Sequence, residues 1–499
     1  MQYAHAPELV AAIDLGSNSF HMIVASLREG ELVIVDRLRE MVRLAAGLSP
    51  SANLTPEAQQ KAIDCLQRFG QRLRDMPPGS VRAVGTNTLR IARNAGQFLL
   101  LAEQALGHPI EIISGIEEAR LIYQGVAQSL ATDGKRRLVM DIGGGSTEYI
   151  IGVDKTPMHK ESLHMGCVSM SLGHFPDGKI TSKRFKRAVI AAQMELEPLE
   201  KTFRNGCWEE AVGASGTLRT IEKILVMCGW SKGGVTLEGL NRLVDVMLAT
   251  GQADKLQLPE LSADRKPILP GGLAILYATF KSLGIPHMNV ADGALREGLL
   301  YDLVGRIYHE DVRARTVAAM ANRYHVDQDH AARIRQTLRD FLEQTGSVGG
   351  VDRETAAQWL DWAAQLHEIG LDIAHSQYHK HGAYIIENAD LPGFSRQDQK
   401  LLATLVRSHR RKFSPKLFKE LVAPWNVAAN PMAILLRLAV LLNRSRQPAP
   451  LPTITLSLTG ACAQLCFPPG WLEDHPLTAA DLEQEAAHLA AAGIALPFS

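Results

Sequence analysis

The chain has 499 residues, 46% of them apolar and 21% charged, with Lys+Arg and Asp+Glu balanced at 53 each. That length gives room for roughly three or four domains, and the composition excludes bulk disorder. The charge balance excludes a global field that would attract nucleic acid or a membrane surface, so an anionic ligand needs a local basic lining.

The six cysteines form no C-x-x-C pair, and the N-terminus MQYAHAPELV lacks the charged and apolar regions of a signal peptide. The strongest apolar run, AILLRLAVLL, is short and split by Arg437. These features predict a reduced, cytoplasmic chain without a membrane span. A peripheral position at the inner face of a membrane stays open.

The first half alternates strand and helix. A hairpin is expected over 9–28, a third strand over 31–40, an amphipathic helix over 56–76 and a buried strand over 81–86. A helix near 96–106, the strand IEIIS (110–114) and a helix opening at Gly115 follow. The order then restarts: LVMDIGGG and TEYIIGVD read as a hairpin, MHKESLHM as a third strand, then a helix near 182–204, the strand EEAVGA (209–214) and another helix.

From about residue 306 apolar residues recur at i, i+3, i+4 spacing in helix after helix, up to PMAILLRLAVLLNRS. The proline-rich stretch QPAPLPT then leads into a small hairpin, TITLSL and AQLCFP, and a helix beginning near 478. The expected organisation is two α/β domains, 1–126 and 127–305, an all-α domain, 306–446, and a small α+β domain, 447–499.

The restart carries a repeated motif. AAIDLGSNSFHMI (11–23) and LVMDIGGGSTEYI (138–150) align at an offset of 127 residues, placing Asp14 on Asp141, Gly16 on Gly143 and Ser19 on Ser146. A hairpin tip rich in Gly, Ser and Asn exposes backbone N–H groups, and such tips bind phosphate. A single tip of this kind is explained by a tight turn, but two in register suggest a cleft gripping a phosphoanhydride from both sides. The candidate phosphate-binding residues are Gly16, Ser17, Asn18 and Ser19 in the first tip, and Gly143, Gly144, Gly145, Ser146 and Thr147 in the second.

Asp14 and Asp141, at the strand ends, could hold Mg²⁺ directly or through water, or could cap the turns. Glu148 lies on the second return strand, opposite His21 in the first, and is a candidate further metal ligand or a solvated surface carboxylate. Neither a P-loop nor a Rossmann fingerprint is present.

In SGIEEARLIYQGV (114–126), Ser114 and Glu117 have the spacing of a capping box. Glu118 is left over, either as a partner of the helix dipole or as a base that orients and deprotonates water. Arg90, in GTNTLRIAR, could fork onto a phosphate. The helix N-terminus after Ser215 and Gly216 is a ready anion site or a close-packed turn.

Duplicated α/β units that each open on a phosphate hairpin resemble the actin-like (ribonuclease H-like) ATPase, sugar kinase and heat-shock chaperone superfamily. DLGSNSFHM, GTNTLR, SGIEEARLIYQGV, DIGGGSTE, MGCVS, GASGT, PGGLAIL and DGALREGLLYDL, in this order, resemble the exopolyphosphatase/guanosine pentaphosphate phosphatase family over the whole chain. The resemblance implies Glu118 as catalytic base, Asp141 and Glu148 with Asp14 at Mg²⁺, a monovalent cation such as K⁺ as an optional companion, and the two loops with Arg90 on the terminal phosphates. It implies a homodimer that releases orthophosphate from inorganic polyphosphate, or the 5′ γ-phosphate from guanosine pentaphosphate. The intact GGGST loop looks more like the exopolyphosphatase branch.

The helical domain resembles a degenerate histidine–aspartate (HD) metal phosphohydrolase. Its dipeptide reads His367–Glu368, and Val440 stands where the closing helix should supply Asp. His330, His375, His379, His381 and His409 lie in the same domain, for which packing and the binding of a long anion are favoured over a working metal site. The basic run Arg407, His409, Arg410, Arg411 and Lys412 is either a solvated face or a track for polyphosphate.

Overall fold

The computed structural model describes residues 8–28, 31–77, 79–307, 311–448 and 450–499. The chain divides into two compact units, Met1–Glu310 and Asp311–Ser499.

In the first unit, β1 (Leu9–Leu15), β2 (Phe20–Arg28), β3 (Glu31–Glu40), β4 (Val81–Gly85) and β5 (Ile110–Ile112) form a sheet in the order β3-β2-β1-β4-β5. A second sheet contains β6 (Arg136–Ile142), β7 (Thr147–Val153), β8 (Thr156–Leu163), β9 (Glu210–Ala214), β10 (Val235–Thr236) and β11 (His287–Val290), in the order β10-β11-β9-β6-β7-β8. Each sheet starts as an antiparallel meander and continues through parallel neighbours, β1 beside β4 and β6 beside β9. The duplication is therefore one of topology as well as of sequence, and the fold is the duplicated actin-like α/β architecture.

Helices end where local chemistry stops them. Thr55 caps Pro56–Leu73, accepting from the N–H of Ala58 at 3.3 Å, with proline at the first position, where its missing N–H costs nothing. Ser114 caps Gly115–Ala127 by accepting from the N–H of Glu117 at 3.1 Å.

The two halves exchange helices. Gly115–Ala127, from the first half, packs on β7 and β8, whereas Leu295–Ile307, from the second, packs on β1 and β4. These helices meet each other through Gly125 and Gly298, where a Cβ would run into the facing backbone. The core between the sheets combines Val10, Ala12, Ile23 and Val84 with Val139, Ile150 and Val212. Because of this exchange, a cut at 126/127 does not separate two cores.

The second unit contains the expected helices, observed as Val312–Arg323, Gln328–Thr345, Arg353–Leu366 and Trp425–Leu442, and two that periodicity did not reveal, Tyr378–Asn388 and Arg396–Ser408. The hairpin of β12 (Thr455–Thr459) and β13 (Cys462–Cys466) and the helix Pro476–Ala490 add Leu456, Leu465, Leu482 and Leu489 to the same core as the bundle. The division expected at 447 is therefore not a boundary between cores: amphipathic pieces this short cannot bury their apolar faces alone.

Trp425–Leu442 is long and apolar enough to cross a bilayer by length and composition. Here it is a core helix, and its Arg437, 1% exposed, is held by Glu485 and the carbonyls of Ser408 and Arg411.

Candidate active site

The register sets the site. Asp14 pairs with His21 across the first hairpin and with Val84 of β4; Asp141 pairs with Glu148 across the second and with Ala214 of β9. Each tip turns on a glycine whose added Cβ would press on the carbonyl three residues later, 2.9 Å for Gly16 against Ser19 and 3.0 Å for Gly143 against Ser146.

Each tip is also braced by the segment that follows its meander. The carbonyls of Asn18 and Ser17 accept from the N–H groups of Arg43 and Ala45, and those of Gly143 and Gly144 accept from Cys167 and Val168. The tips touch each other: a Cβ on Gly144 would lie 2.8 Å from the Cβ of Ser17.

A cavity of about 500 Å³ opens at this junction. From the first tip it is lined by Gly16, Ser17, Asn18 and Ser19, and from the second by Gly143, Gly144 and Ser146. Asp14, Asp141, Glu118, Ser215 and Gly216 complete the set of expected residues that reach it.

Ser215 opens the helix Ser215–Met227 at φ 82, a conformation that costs a non-glycine residue about 1–3 kcal/mol, and its buried hydroxyl has no partner among the described residues. Strain and an unpaired donor at a helix N-terminus suit an incoming anion.

Four expected phosphate or metal residues do not line the cavity. Gly145 sits against Asn87, and the Thr147 hydroxyl donates to the Met165 carbonyl at 2.6 Å, so both are spent on packing the turn. Arg90, on the short helix Asn87–Ile91, directs its guanidinium at the carboxylate of Glu118 at 2.7 Å and the carbonyl of Ile113 at 3.1 Å instead of the cavity. Glu148 is 1% exposed and accepts from the Ser162 hydroxyl at 2.8 Å.

The carboxyl groups form one electrostatic cluster. Burial, and after it the charge of Glu118, raises Asp14 to about 8 and Asp141 to about 7. Burial, with Glu118 and Asp141, holds Glu148 well above the usual carboxylate range. Asp14 Oδ1 is buried without a hydrogen-bond partner among the described residues. An all-oxygen donor set with an orphaned oxygen fits Mg²⁺, which binds through one or two carboxylates and keeps several waters.

The cavity also contains arginines that sequence reasoning missed: Arg39, Arg219, Arg265 and Arg296. Arg296 donates to Nδ1 of His21 at 3.1 Å, which leaves the Nε2–H to donate to the Ser19 hydroxyl at 2.7 Å. Burial, then Arg296 and the other three arginines, lowers His21 to about 3, so the ring is neutral. Burial and mutual repulsion also lower Arg39, beside Arg296, and Arg265, beside Arg39. Guanidiniums crowded in this way repel one another, and an anion between them would relieve that repulsion. Arg219 and Arg296 stood in the motifs GASGTLRT and DGALREG, whereas Arg39 and Arg265 gave no local signal.

A buried ion network fixes the helix that carries Glu118. Arg120 clasps Glu117 with two bonds of 2.8 Å and also reaches Asp302, which is shared with Arg82 of β4 and, at 3.1 Å, with Arg306. Arg82 bridges to Glu111 of β5 at 3.3 Å.

In the helical unit, Arg407, Arg410, Arg411 and Lys412 line a cavity of about 680 Å³ together with His379 and Lys380. His409 does not belong to that surface. It is 2% exposed, its Nδ1–H donating to the Val406 carbonyl at 2.6 Å, because the ring packs inward at the end of its helix.

The Ppx/GppA phosphatase family pattern matches residues 23–307, and that of Ppx/GppA phosphatase domain III matches 312–486. The chain is 43% identical over 481 residues to the guanosine-5'-triphosphate,3'-diphosphate pyrophosphatase of Aeromonas hydrophila, covering 96% of this chain and 97% of the relative. It is 40% identical over 486 residues to the protein of that name from Vibrio cholerae, covering 97% of each.

Among solved structures, an exopolyphosphatase from Cytophaga hutchinsonii shares the fold at a TM-score of 0.54 and 24% identity, covering 60% of this chain and 98% of that one. The Aquifex aeolicus PPX-GPPA enzyme aligns at 0.50 and 25% identity, covering 59% and 99%. With family matches over both units and 43% identity to a relative over nearly the whole chain, the chain belongs to the Ppx/GppA phosphatase family.

Proposed function

We propose that this chain is a phosphoanhydride hydrolase that converts guanosine-5'-triphosphate,3'-diphosphate into the 5'-diphosphate,3'-diphosphate and orthophosphate. The observation behind this substrate is the 43% and 40% identity, over nearly the whole chain, to relatives of that name. It favours the nucleotide over the polyphosphate reading suggested by the GGGST loop.

In the proposed mechanism the terminal phosphate rests on the N–H groups of the tips at 16–19 and at 143, 144 and 146, with Arg219, Arg265 and Arg296 countering its charge. The Glu118 carboxylate, held by Arg90, orients a water and takes its proton. The bond from the water oxygen to phosphorus forms as the bond from phosphorus to the bridging oxygen breaks, and the nucleotide leaves with that oxygen. Asp14 and Asp141, which line the cavity, would hold Mg²⁺, with Glu148 buried behind them, and the ion would supply positive charge against that developing on the transferred phosphoryl group. Ser215 and the helix N-terminus behind it suit the oxygens of the departing group.

Polyphosphate is kept as a second reading by the basic cavity of Arg407, Arg410, Arg411 and Lys412. The test is kcat/KM for the guanosine pentaphosphate and for long-chain polyphosphate on one preparation. A clear preference for the nucleotide is expected, and a preference for polyphosphate overturns the assignment.

A further inference from the structure

The helical unit contains a histidine cluster that the phosphatase reaction does not use. We propose that His330, His367 and Glu368 form a binding site for a transition-metal dication of the zinc type, with its remaining coordination position open to a neighbouring cavity.

All three residues are buried, and each offers a ligand atom within 4.8 Å of the others. The tautomer of His367 is set: its Nδ1–H donates to the Ala364 carbonyl at 2.7 Å, which leaves the lone pair on Nε2. A backbone carbonyl holding the far nitrogen is the usual support of a metal-bound imidazole. That Nε2 has no partner among the described residues, although the ring is fully buried, and neither has Nδ1 of His330, which is 3% exposed. A buried acceptor left unpaired carries a desolvation penalty that a bound ion would remove.

Glu368 approaches from the next residue, its Oε1 3.8 Å from the free Nε2 of His367. Arg446 bonds that same Oε1 and also reaches Asp327 at 3.0 Å, so it orients the carboxylate, and a metal would share this oxygen with the guanidinium or take it over. The donors are spread wider than the roughly 3.4 Å edge of a tetrahedral shell with bonds near 2.0–2.1 Å. Loading would therefore draw the side chains together.

Two imidazoles and one carboxylate suit Zn²⁺, Ni²⁺, Co²⁺ or Fe²⁺ and not Mg²⁺, which prefers oxygen. His330 and Glu368 also line a cavity of about 300 Å³ with Arg410, Arg411, Arg444 and Arg446. Three protein ligands beside an arginine-lined space leave a position for water or a small oxyanion.

The test uses the full chain, stripped with a chelator and titrated with Co²⁺ in excess Mg²⁺, which occupies oxygen-only sites. One equivalent of Co²⁺ with visible d–d absorption is expected, displaced by Zn²⁺. His330→Ala and His367→Ala should weaken binding by more than roughly tenfold, as loss of even supporting groups at metal sites does. Should either alanine variant fail to fold by circular dichroism, His330→Gln and Glu368→Gln, closer in volume, should show the same loss. No Co²⁺ spectrum in the parent chain overturns the site. Binding that survives these substitutions, or that is lost in Asp141→Asn, also overturns it.

Discussion

Arg90 donates to Glu118 at 2.7 Å, and both side chains are about one-tenth exposed, so the cation sits on the proposed base and not on the substrate. Arg90 is therefore a positioning residue: it counters a carboxylate that shares its surroundings with Asp14, Asp141 and Glu148. Arg90→Ala should lower kcat about ten- to a hundredfold with little change in KM, and Arg90→Lys should recover part of the loss. Steady-state kinetics on the two variants separates the roles. A raised KM at unchanged kcat would return Arg90 to phosphate binding, as the sequence suggested.

Glu118→Gln keeps the volume and the helix and removes the base. The expected loss in kcat is about 10²–10⁴-fold, the usual contribution of a positioned general base, with substrate binding retained. Phosphate release and equilibrium binding of the nucleotide, measured together, check this. Near-normal turnover would remove Glu118 from the mechanism.

The crowded arginines predict a thermal effect that needs no turnover. A ligand that binds only the native state stabilises it by mass action, so inorganic phosphate should raise the Tm of the parent chain. Arg265→Ala, which relieves repulsion with Arg39, should respond less to phosphate than the parent. Differential scanning fluorimetry over a phosphate series, with chloride at matched ionic strength as control, makes the comparison. Equal shifts in both proteins would contradict a cationic anion site.

Much of this site was legible because the repeat is local. Asp14, Gly16, Asp141 and Gly143 lie in short segments whose alignment also predicts two hairpins, and both form with the expected partners. Glu118 stood out because Ser114 and Glu117 accounted for the rest of its turn. Residues brought in by tertiary structure were hidden. Arg265 precedes the short turn Lys266–Ile268, and Arg39 lies at the far end of β3, positions that read as ordinary surface charge. The opposite error has the same origin. Arg90 has a guanidinium of the kind that forks onto phosphate, and only the packing of its helix shows that Glu118 takes the charge. His409 sits in a basic run, yet its ring turns inward.

Asp302 gives a pH-dependent stability prediction. Burial alone would raise its carboxyl, but Arg120, Arg82 and Arg306 overcome that and hold it far below the usual carboxylate range. The native value lies below the unfolded one, so the contribution is complete above the ordinary value of 3.8 and is lost as pH falls from there toward the native value. Removing one partner of a buried ion cluster costs about 3–5 kcal/mol, so Asp302→Asn should be strongly destabilised at neutral pH. Its deficit relative to the parent, measured by urea unfolding, should shrink below about pH 4. A deficit that grows in acid would contradict the assignment.

The contact between the two tips can be tested with a single methyl group. A Cβ on Gly144 would lie 2.8 Å from the Cβ of Ser17 and 3.5 Å from the Asn18 nitrogen, so Gly144→Ala must push one tip away from the other. Overpacking of this kind costs about 1–3 kcal/mol, whereas a displacement near 1 Å in a reacting site costs on the order of 10² in rate. The expected result is a folded protein with a modestly lower Tm and kcat/KM reduced about a hundredfold. Gly173→Ala is the control. It lies in the helix Cys167–His174 with nothing within 4 Å of the added carbon, and should leave activity unchanged while adding about 0.5–1 kcal/mol of stability. If Gly144→Ala turned over normally, the two tips would not act on one phosphate, and the duplicated hairpins would have to bind different parts of the substrate.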